Sequence, residues 1–446
     1  VLEGEGQVLR LEGAAGVGKS HLTAEFMDEA LGRGLRVAVG ACQSTSQDIP
    51  YYPWRQIYRT LFDLTDDLSP GEDRKSLVAR HISQVEREVS QIDPVWGLRL
   101  PLLGDLLGLP IPDNETTGAF DPQLRQQALF SLAVDLIQTW THSQAALLLI
   151  EDAHWLDEAS QGLTLALGRI IANAPVLLVL VQRPPDEPLM SELNRLPNHN
   201  HLYVRELSRP GVVGLVTHRL EGEPSALVLD LIQALSQGNP FYAEELTNTL
   251  RQSGRLIRKD DGTWILSQPL FDTLRAANCL AKDPQWEEWI LAPDAPLATV
   301  DLDVPDSIHG LVLSSLDRLT EAARLTLKAA SVIGRSFELD LLSESHPTQP
   351  DQEALLEQVR VLEAQDLVHQ EMPPTGLAYT FRHQIIQEAA YATLPIRQRR
   401  RLHRAVGEAL EGLQPDAVER LAYHYRHSGV RDKTLIYLDK AARKTR

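Results

Sequence analysis

The chain predicts an α/β domain followed by largely helical units, and three observations carry that reading. Short β-branched or Leu-rich runs alternate with helical stripes up to residue 207, a glycine-rich loop joins the first run to the first stripe, and strand signals thin out afterwards. The composition suits a folded protein of two to four domains. Its 446 residues are 43% apolar, 23% charged and 6% aromatic, which excludes a disordered or fibrous chain.

Strands are expected over residues 8–12, 37–41, 147–150, 176–181 and 202–204; a purely apolar run such as 147–150 suits a strand covered on both faces. Leu129, Leu132, Ala133, Leu136, Ile137 and Trp140 form one helical stripe, and Leu22, Phe26 and Ala30 align on the first helix. Residues 44–122, rich in Pro, Gly and Asp, read as a large excursion from the sheet. Together these make a domain of residues 1–207. Short helices over 212–220, 226–235 and 242–253, then a hairpin at Asp260-Asp261-Gly262, give a helical lid over 208–268. Residues 269–302 read as an irregular linker or insertion. Helices over 311–316, 322–332 and 353–364, then a hairpin around Pro373-Pro374-Thr375-Gly376, suggest a winged-helix domain over 303–394. Residues 395–446 are helical, with amphipathic segments over 402–413 and 417–442.

Composition also excludes some settings. The longest apolar runs, 145–150 and 174–181, fall short of the ~20 residues a membrane-spanning helix needs. Two cysteines, Cys42 and Cys279, cannot build a disulfide framework and favour a reducing, cytoplasmic setting. With 61 acidic against 43 basic side chains the net charge is −18, which disfavours direct nucleic-acid binding, since phosphate contacts need clustered Lys and Arg. The helix near 311–316 is followed by Asp317 and carries few basic residues. The main basic cluster, Arg397 to Arg404, reads either as a patch for phosphate or an acidic partner, or as a solvated charge run. The chain opens at Val1 without Met or signal peptide and stops at Arg446, as expected of an excerpt from a longer protein.

Gly13-Ala14-Ala15-Gly16-Val17-Gly18-Lys19-Ser20 matches G-x-x-x-x-G-K-[ST], with a strand before it and a helix after it. Glycines let several N–H groups turn inward, and the helix N-terminus adds its positive end, so the loop suits phosphate oxygens. The candidate nucleotide contacts are Gly13, Gly16, Val17, Gly18, Lys19, Ser20 and His21. Lys19 would neutralise β- and γ-phosphate charge, and Ser20 would offer its hydroxyl to Mg²⁺. Apart from Lys75, Lys19 is the only lysine before Lys259, so the match is no by-product of a Lys-rich region.

An apolar strand ending in Glu151-Asp152 fits a Walker B element. Position favours Glu151 for Mg²⁺ and Asp152 for the attacking water, but the acidic order leaves that division open. Arg183 ends the next strand, where it serves as a γ-phosphate sensor or as an ordinary surface pair.

Four stretches together resemble the STAND ATPases, the signal-transduction branch of the P-loop family. They are residues 13–20, Glu151-Asp152-Ala153-His154-Trp155-Leu156-Asp157, Gly238-Asn239-Pro240-Phe241, and Tyr379-Thr380-Phe381-Arg382-His383. The second, with Arg183-Pro184, is similar to the ATPase module beside class III cyclase domains and in LuxR-type large transcription regulators. The resemblance implies ATP or ADP with Mg²⁺ as ligands, and Pro240, with Phe241, against adenine, where the alternative is a plain helix-breaking turn. It implies His383 as a β-phosphate sensor, although Phe-Arg-His replaces the usual Met-His-Asp and a structural histidine is the alternative. The last segment resembles the opening of a tetratricopeptide array, whose single hairpin cannot bury its own face. An inducer or protein partner bound through further repeats, and an effector domain outside these residues, are then implied. The expected function is a slowly hydrolysing ATP switch; the alternative is a scaffold that binds ATP without turnover.

Overall fold

The computed structural model describes residues 5–42, 49–65, 73–184, 192–283, 288–297, 308–371 and 377–444. The first unit begins with β1 (Gln7–Glu12), α1 (Lys19–Gly32) and β2 (Arg36–Ala41). The excursion follows as α2 (Tyr52–Leu61), α3 (Arg74–Ile92) and α4 (Leu100–Leu107), and α5 (Pro122–Thr141) returns to the sheet. Then come β3 (Ala146–Glu151), α6 (Glu158–Ile170), β4 (Val176–Gln182) and β5 (His199–Tyr203).

All five strands are parallel, in the order β2-β3-β4-β1-β5. β4 therefore lies between β1 and β3, so the residues following three adjacent strands emerge side by side at one edge. That edge is where open α/β sheets bind ligands. The apolar run of β3 is buried on both faces: Leu148 and Ile150 enter one core and Leu147 and Leu149 the other. On α1 the buried line is Thr23 and Ala30 with Met27 against the core, while Leu22 and Phe26 are exposed. The expected stripe is displaced by one residue because positions 23, 27 and 30 also fit one helical face.

The excursion is bolted to the sheet rather than trailing from it. Trp54 and Tyr58 are fully buried; Trp54 Nε1 donates to Ser160 O and Thr164 Oγ1, and Tyr58 Oη donates to Ala133 O. The Gln56 amide pairs with both backbone groups of Ala41.

The second unit holds α7 (Arg209–Leu220), α8 (Ala226–Ser236), α9 (Pro240–Gln252), and the hairpin β6 (Leu256–Arg258) and β7 (Trp264–Leu266). The stretch expected to be an irregular linker is ordered over its described part as α10 (Gln268–Ala276) and the antiparallel pair β8 (Leu280–Lys282) and β9 (Trp289–Leu291). Leu270, Leu274, Cys279 and Leu280 join the core of Val216, Ile232 and Leu246. Two leucines four apart seat a helix here despite the Pro- and Asp-rich composition.

The third unit runs α11 (Ile308–Asp317), α12 (Glu321–Ile333), β10 (Ser336–Glu338), α13 (Leu339–Ser345), α14 (Gln352–Ala364), β11 (Val368–Glu371), β12 (Ala378–Phe381) and α15 (Gln384–Ala392). Its antiparallel sheet has the order β10-β12-β11. Residues 373–376, where the turn of this hairpin was expected, lie outside the described residues. The closing helices are α16 (Ile396–Leu413), α17 (Val418–Ser428) and α18 (Arg431–Lys444). The expected second amphipathic segment is thus two helices, separated at Gly429. In the basic cluster, Arg399 lies over the Tyr391 ring at 4.1 Å and Arg404 pairs with Glu408. Those two cations serve the chain's own structure.

Two stability measurements follow. A Cβ on Gly40 would sit 2.2 Å from Pro53 O, so Gly40→Ala should lower stability by about 1–3 kcal/mol in urea unfolding. Gly412→Ala, where a Cβ meets nothing within 4 Å, should be neutral or stabilising. The second concerns the buried pair His403 and His424, whose Nδ1 atoms lie 3.0 Å apart. Burial, with His427 and Arg399 adding repulsion, pushes His403 down to about 3, and burial also holds His424 well below its ordinary value. The contribution of this pair to stability should be constant above pH 6.5. Below that it should fall by about 1.4 kcal/mol per pH unit for each proton that the unfolded chain takes up and the fold refuses. A His403→Phe variant that lost as much stability between pH 7 and pH 5 as wild type would contradict this.

Candidate functional site

Residues 13–18 join β1 to α1, with Gly16 at φ 74° and Gly18 at φ 96°. Glycine adopts this left-handed region without steric cost, and such loops turn successive N–H groups toward one concavity. A Cβ at Gly18 would meet nothing within 4 Å, so conformation alone requires glycine there. At Gly16 the same Cβ would lie 2.8 Å from Phe241 Cβ. Val17 is buried and anchors the loop. Lys19 Nζ donates to Gly13 O at 2.8 Å and Ala14 O at 2.9 Å, which holds the ammonium over its own loop. Burial pushes this amine down to about 8, Arg183 adds repulsion, and Asp152 opposes the shift. Ser20 and His21 are exposed on the first turn of α1.

At the end of β3, Glu151 and Asp152 both face Arg335 from the third unit. Arg335 Nη1 lies 3.4 Å from Glu151 Oε2 and 3.5 Å from Asp152 Oδ2. Burial raises Asp152 to about 6, against the pull of Arg335, and Glu151 raises it further. Arg183, after β4, is held by both its terminal nitrogens on Glu388 of α15, at 3.2 and 3.0 Å. His154 has both ring nitrogens buried without a partner, and burial with the nearby Arg183 and Lys19 charges pushes it down to about 4. Asp157, in the same acidic segment, is structural: its carboxylate caps α6 by accepting from Ser160 N and also accepts from Tyr51 N.

The second unit closes over the loop through one turn. Asn239 Nδ2 donates to Ala15 O at 3.0 Å, and Phe241 N donates to Gly16 O at 3.2 Å. Asn239 Oδ1 also accepts from Tyr242 N, and Pro240 begins α9. The His383 ring meets Phe241 edge-on at 4.6 Å. Burial, with Arg382 and Arg335 adding repulsion, pushes His383 down to about 4 and keeps it neutral at pH 7.

The structure thus gathers the loop, the acidic pair, Arg183 and the Pro240 turn around one sheet edge, with His383 joined to it through Phe241. Sequence reasoning missed Arg335, Glu388 and the Asn239 contact, and named His154 only within the segment 151–157, without a role. Only Asn239 carried a readable signal, a capping residue directly before Pro at the first helical position. A lysine cation suits phosphate oxygens, and a hydroxyl with two carboxylates supplies hard oxygen ligands, a set that fits a magnesium-bound triphosphate. The Arg335 guanidinium already brings positive charge to Glu151 and Asp152.

Residues 1–180 match the family profile of the AAA ATPase domain. An uncharacterized protein of Rhizobium meliloti (strain 1021), R02095, is 24% identical over 413 residues, covering 92% of this chain and 35% of that protein. Adenylate cyclase type 10 of Oryctolagus cuniculus is 21% identical over 358 residues, covering 76% of this chain and 21% of that protein. The Homo sapiens protein of the same name is 21% identical over 369 residues, covering 78% and 22%. The chain therefore spans about a third or less of the length of these relatives. The structure of the Aeropyrum pernix ORC1 protein in complex with DNA aligns at 12% identity and a TM-score of 0.32 over 87% of each chain. Drosophila ORC bound to DNA aligns at 12% identity and 0.29, over 86% of this chain and 89% of that one. Likenesses that loose carry no argument about what this chain binds. Among the described residues no helix is long and apolar enough to cross a membrane. The family match over residues 1–180 and the loop geometry together support a P-loop ATPase module in the N-terminal region.

Proposed function

We propose that this chain is the ATP-driven switch of a longer STAND-type regulator, slow in turnover. The observation that carries the reading is convergence: hydrogen bonds from Asn239 and Phe241 of the second unit and charged contacts from the third meet on the phosphate loop and the acidic pair. A ligand at that junction touches three units at once, so its chemical state can bias their arrangement.

In this reading the loop of residues 13–18 binds the phosphate chain, Lys19 neutralises its charge, and Val17 and His21 flank the cradle. When bound, Mg²⁺ supplies charge neutralisation at the β- and γ-oxygens. Ser20 with Glu151 and Asp152 would hold it, Asp152 also orienting the attacking water. Arg183 is the candidate sensor for the terminal phosphate once freed from Glu388. Pro240 packs on the base. His383, kept neutral, reports the nucleotide state through Phe241. The third unit is read as a winged helix and the closing helices as the start of tetratricopeptide-like repeats that receive an inducer or partner protein. The likeness to adenylate cyclase type 10 supports a cyclase as one candidate for the attached effector domain.

The engagement of Arg183 and both carboxylates favours a second reading, a scaffold that binds nucleotide without turnover. The nucleotide recovered after incubation with ATP separates the two: ADP supports the switch, and intact ATP supports the scaffold.

Lys19→Ala should weaken ATP binding by about 100-fold in a nucleotide titration while circular dichroism stays unchanged. Unaltered affinity would sink the proposal. Asp152→Asn should bind ATP and hydrolyse it at least about 100-fold more slowly.

A further inference from the structure

The two ion pairs that cross from the third unit have opposite polarity. Arg335 brings a cation to Glu151 and Asp152, and Glu388 brings a carboxylate to Arg183. Both charges ride on one packed body. Arg335 lies directly after Gly334, where α12 ends, and its carbonyl accepts from Phe381 N of β12 at 2.9 Å. Glu388 sits on α15, which is tied to α12 by Gln387 Nε2 donating to Ser331 O at 2.7 Å. Neither charge can withdraw far without the other.

The chemistry of the pairs is that of the ligand end proposed above. A carboxylate held by both terminal nitrogens of an arginine is the usual substitute for a phosphate held the same way. A guanidinium between two carboxylates occupies the place of a metal cation's charge. Arg335 Nε is buried without a partner, so this guanidinium is incompletely satisfied where it sits. That lowers the cost of displacing it.

We infer that Arg335 and Glu388 form a built-in competitor for the metal and terminal phosphate of ATP, which lowers ATP affinity relative to ADP and releases the third unit when ATP binds. The inference rests on the switch reading above. The metal of ADP contests Arg335 as well, but ADP has no terminal phosphate to contest Arg183 and so does not displace Glu388 directly. ATP contests both pairs, and because they share one body, losing one weakens the other.

The test uses the full chain, with ATP and ADP titrated in Mg²⁺ against wild type, Arg335→Met, Glu388→Gln and the double variant. Glu388→Gln should raise ATP affinity about threefold to tenfold and change ADP affinity by less than about twofold, so that the ATP-to-ADP ratio rises, whereas Arg335→Met, which removes the competitor of a metal both nucleotides carry, should raise both. Hydrogen exchange provides a second readout. In wild type, ATP but not ADP should speed exchange of the α15 amides, and the double variant should exchange fast without nucleotide. An unchanged ATP-to-ADP ratio in Glu388→Gln, or a fall in ATP affinity, would overturn the inference while leaving the switch reading standing. No nucleotide binding by any form would overturn both. Should Arg335→Met fail to fold, Glu388→Gln, which keeps shape and removes only charge, decides the question alone.

Discussion

Charge at the exposed edge of the sheet is held in balance, and the rest of the site depends on that balance. Lys19, Arg183 and Arg335 face Glu151, Asp152 and Glu388, three cations against three anions, most of them shielded from water. In a partly desolvated place an unmatched charge is expensive, so each must find a partner inside the protein or on a ligand. The third unit supplies two of the six, Arg335 and Glu388. Its position is therefore a consequence of electrostatics at the loop as much as of apolar packing.

Apolar packing supplies the other half of the coupling. Phe241 belongs to the second unit by sequence but is buried in the core of the third, and its backbone N–H reaches the phosphate loop. One residue thus joins the Gly16 carbonyl, the His383 ring and a hydrophobic core. A further ionic cluster reinforces this docking, since Asp366 of the third unit accepts from both Arg219 of α7 and Arg382. A shift of the α9 turn by even one rotamer would be felt at all three places, because packed cores respond in discrete steps rather than by gradual yielding.

The excursion between β2 and α5 has a quieter role. It covers the sheet edge at β2 with Gln56 and buries Trp54 and Tyr58 against α5 and α6, which removes an unpaired strand edge. It also reaches the far end of the chain, where Arg55 of α2 lies 3.9 Å from Glu419 of α17. The acidic segment after β3 divides its labour in the same spirit: Glu151 and Asp152 face the ligand edge, whereas Asp157 caps a helix and steadies the excursion.

What the sequence determined by itself was everything whose cause is local. The eight residues of the phosphate loop must be contiguous to close around an anion, so spacing and residue type suffice to identify them. The both-faces-buried strand of Leu147–Leu149 and the stripe on α5 are legible because their periods report burial directly. The tertiary structure decided matters that need partners far along the chain. Arg335 meets Glu151 across 184 residues and Arg183 meets Glu388 across 205, and an isolated arginine or glutamate carries no periodic mark of such a contact. Residues 269–302 read as linker because prolines and aspartates interrupt any regular apolar period, and only the core of the second unit shows where Leu270, Leu274, Cys279 and Leu280 are buried. Leu22 and Phe26 fit a helical stripe as well as Thr23 and Met27 do, and the sheet beneath, absent from any local pattern, chose between them.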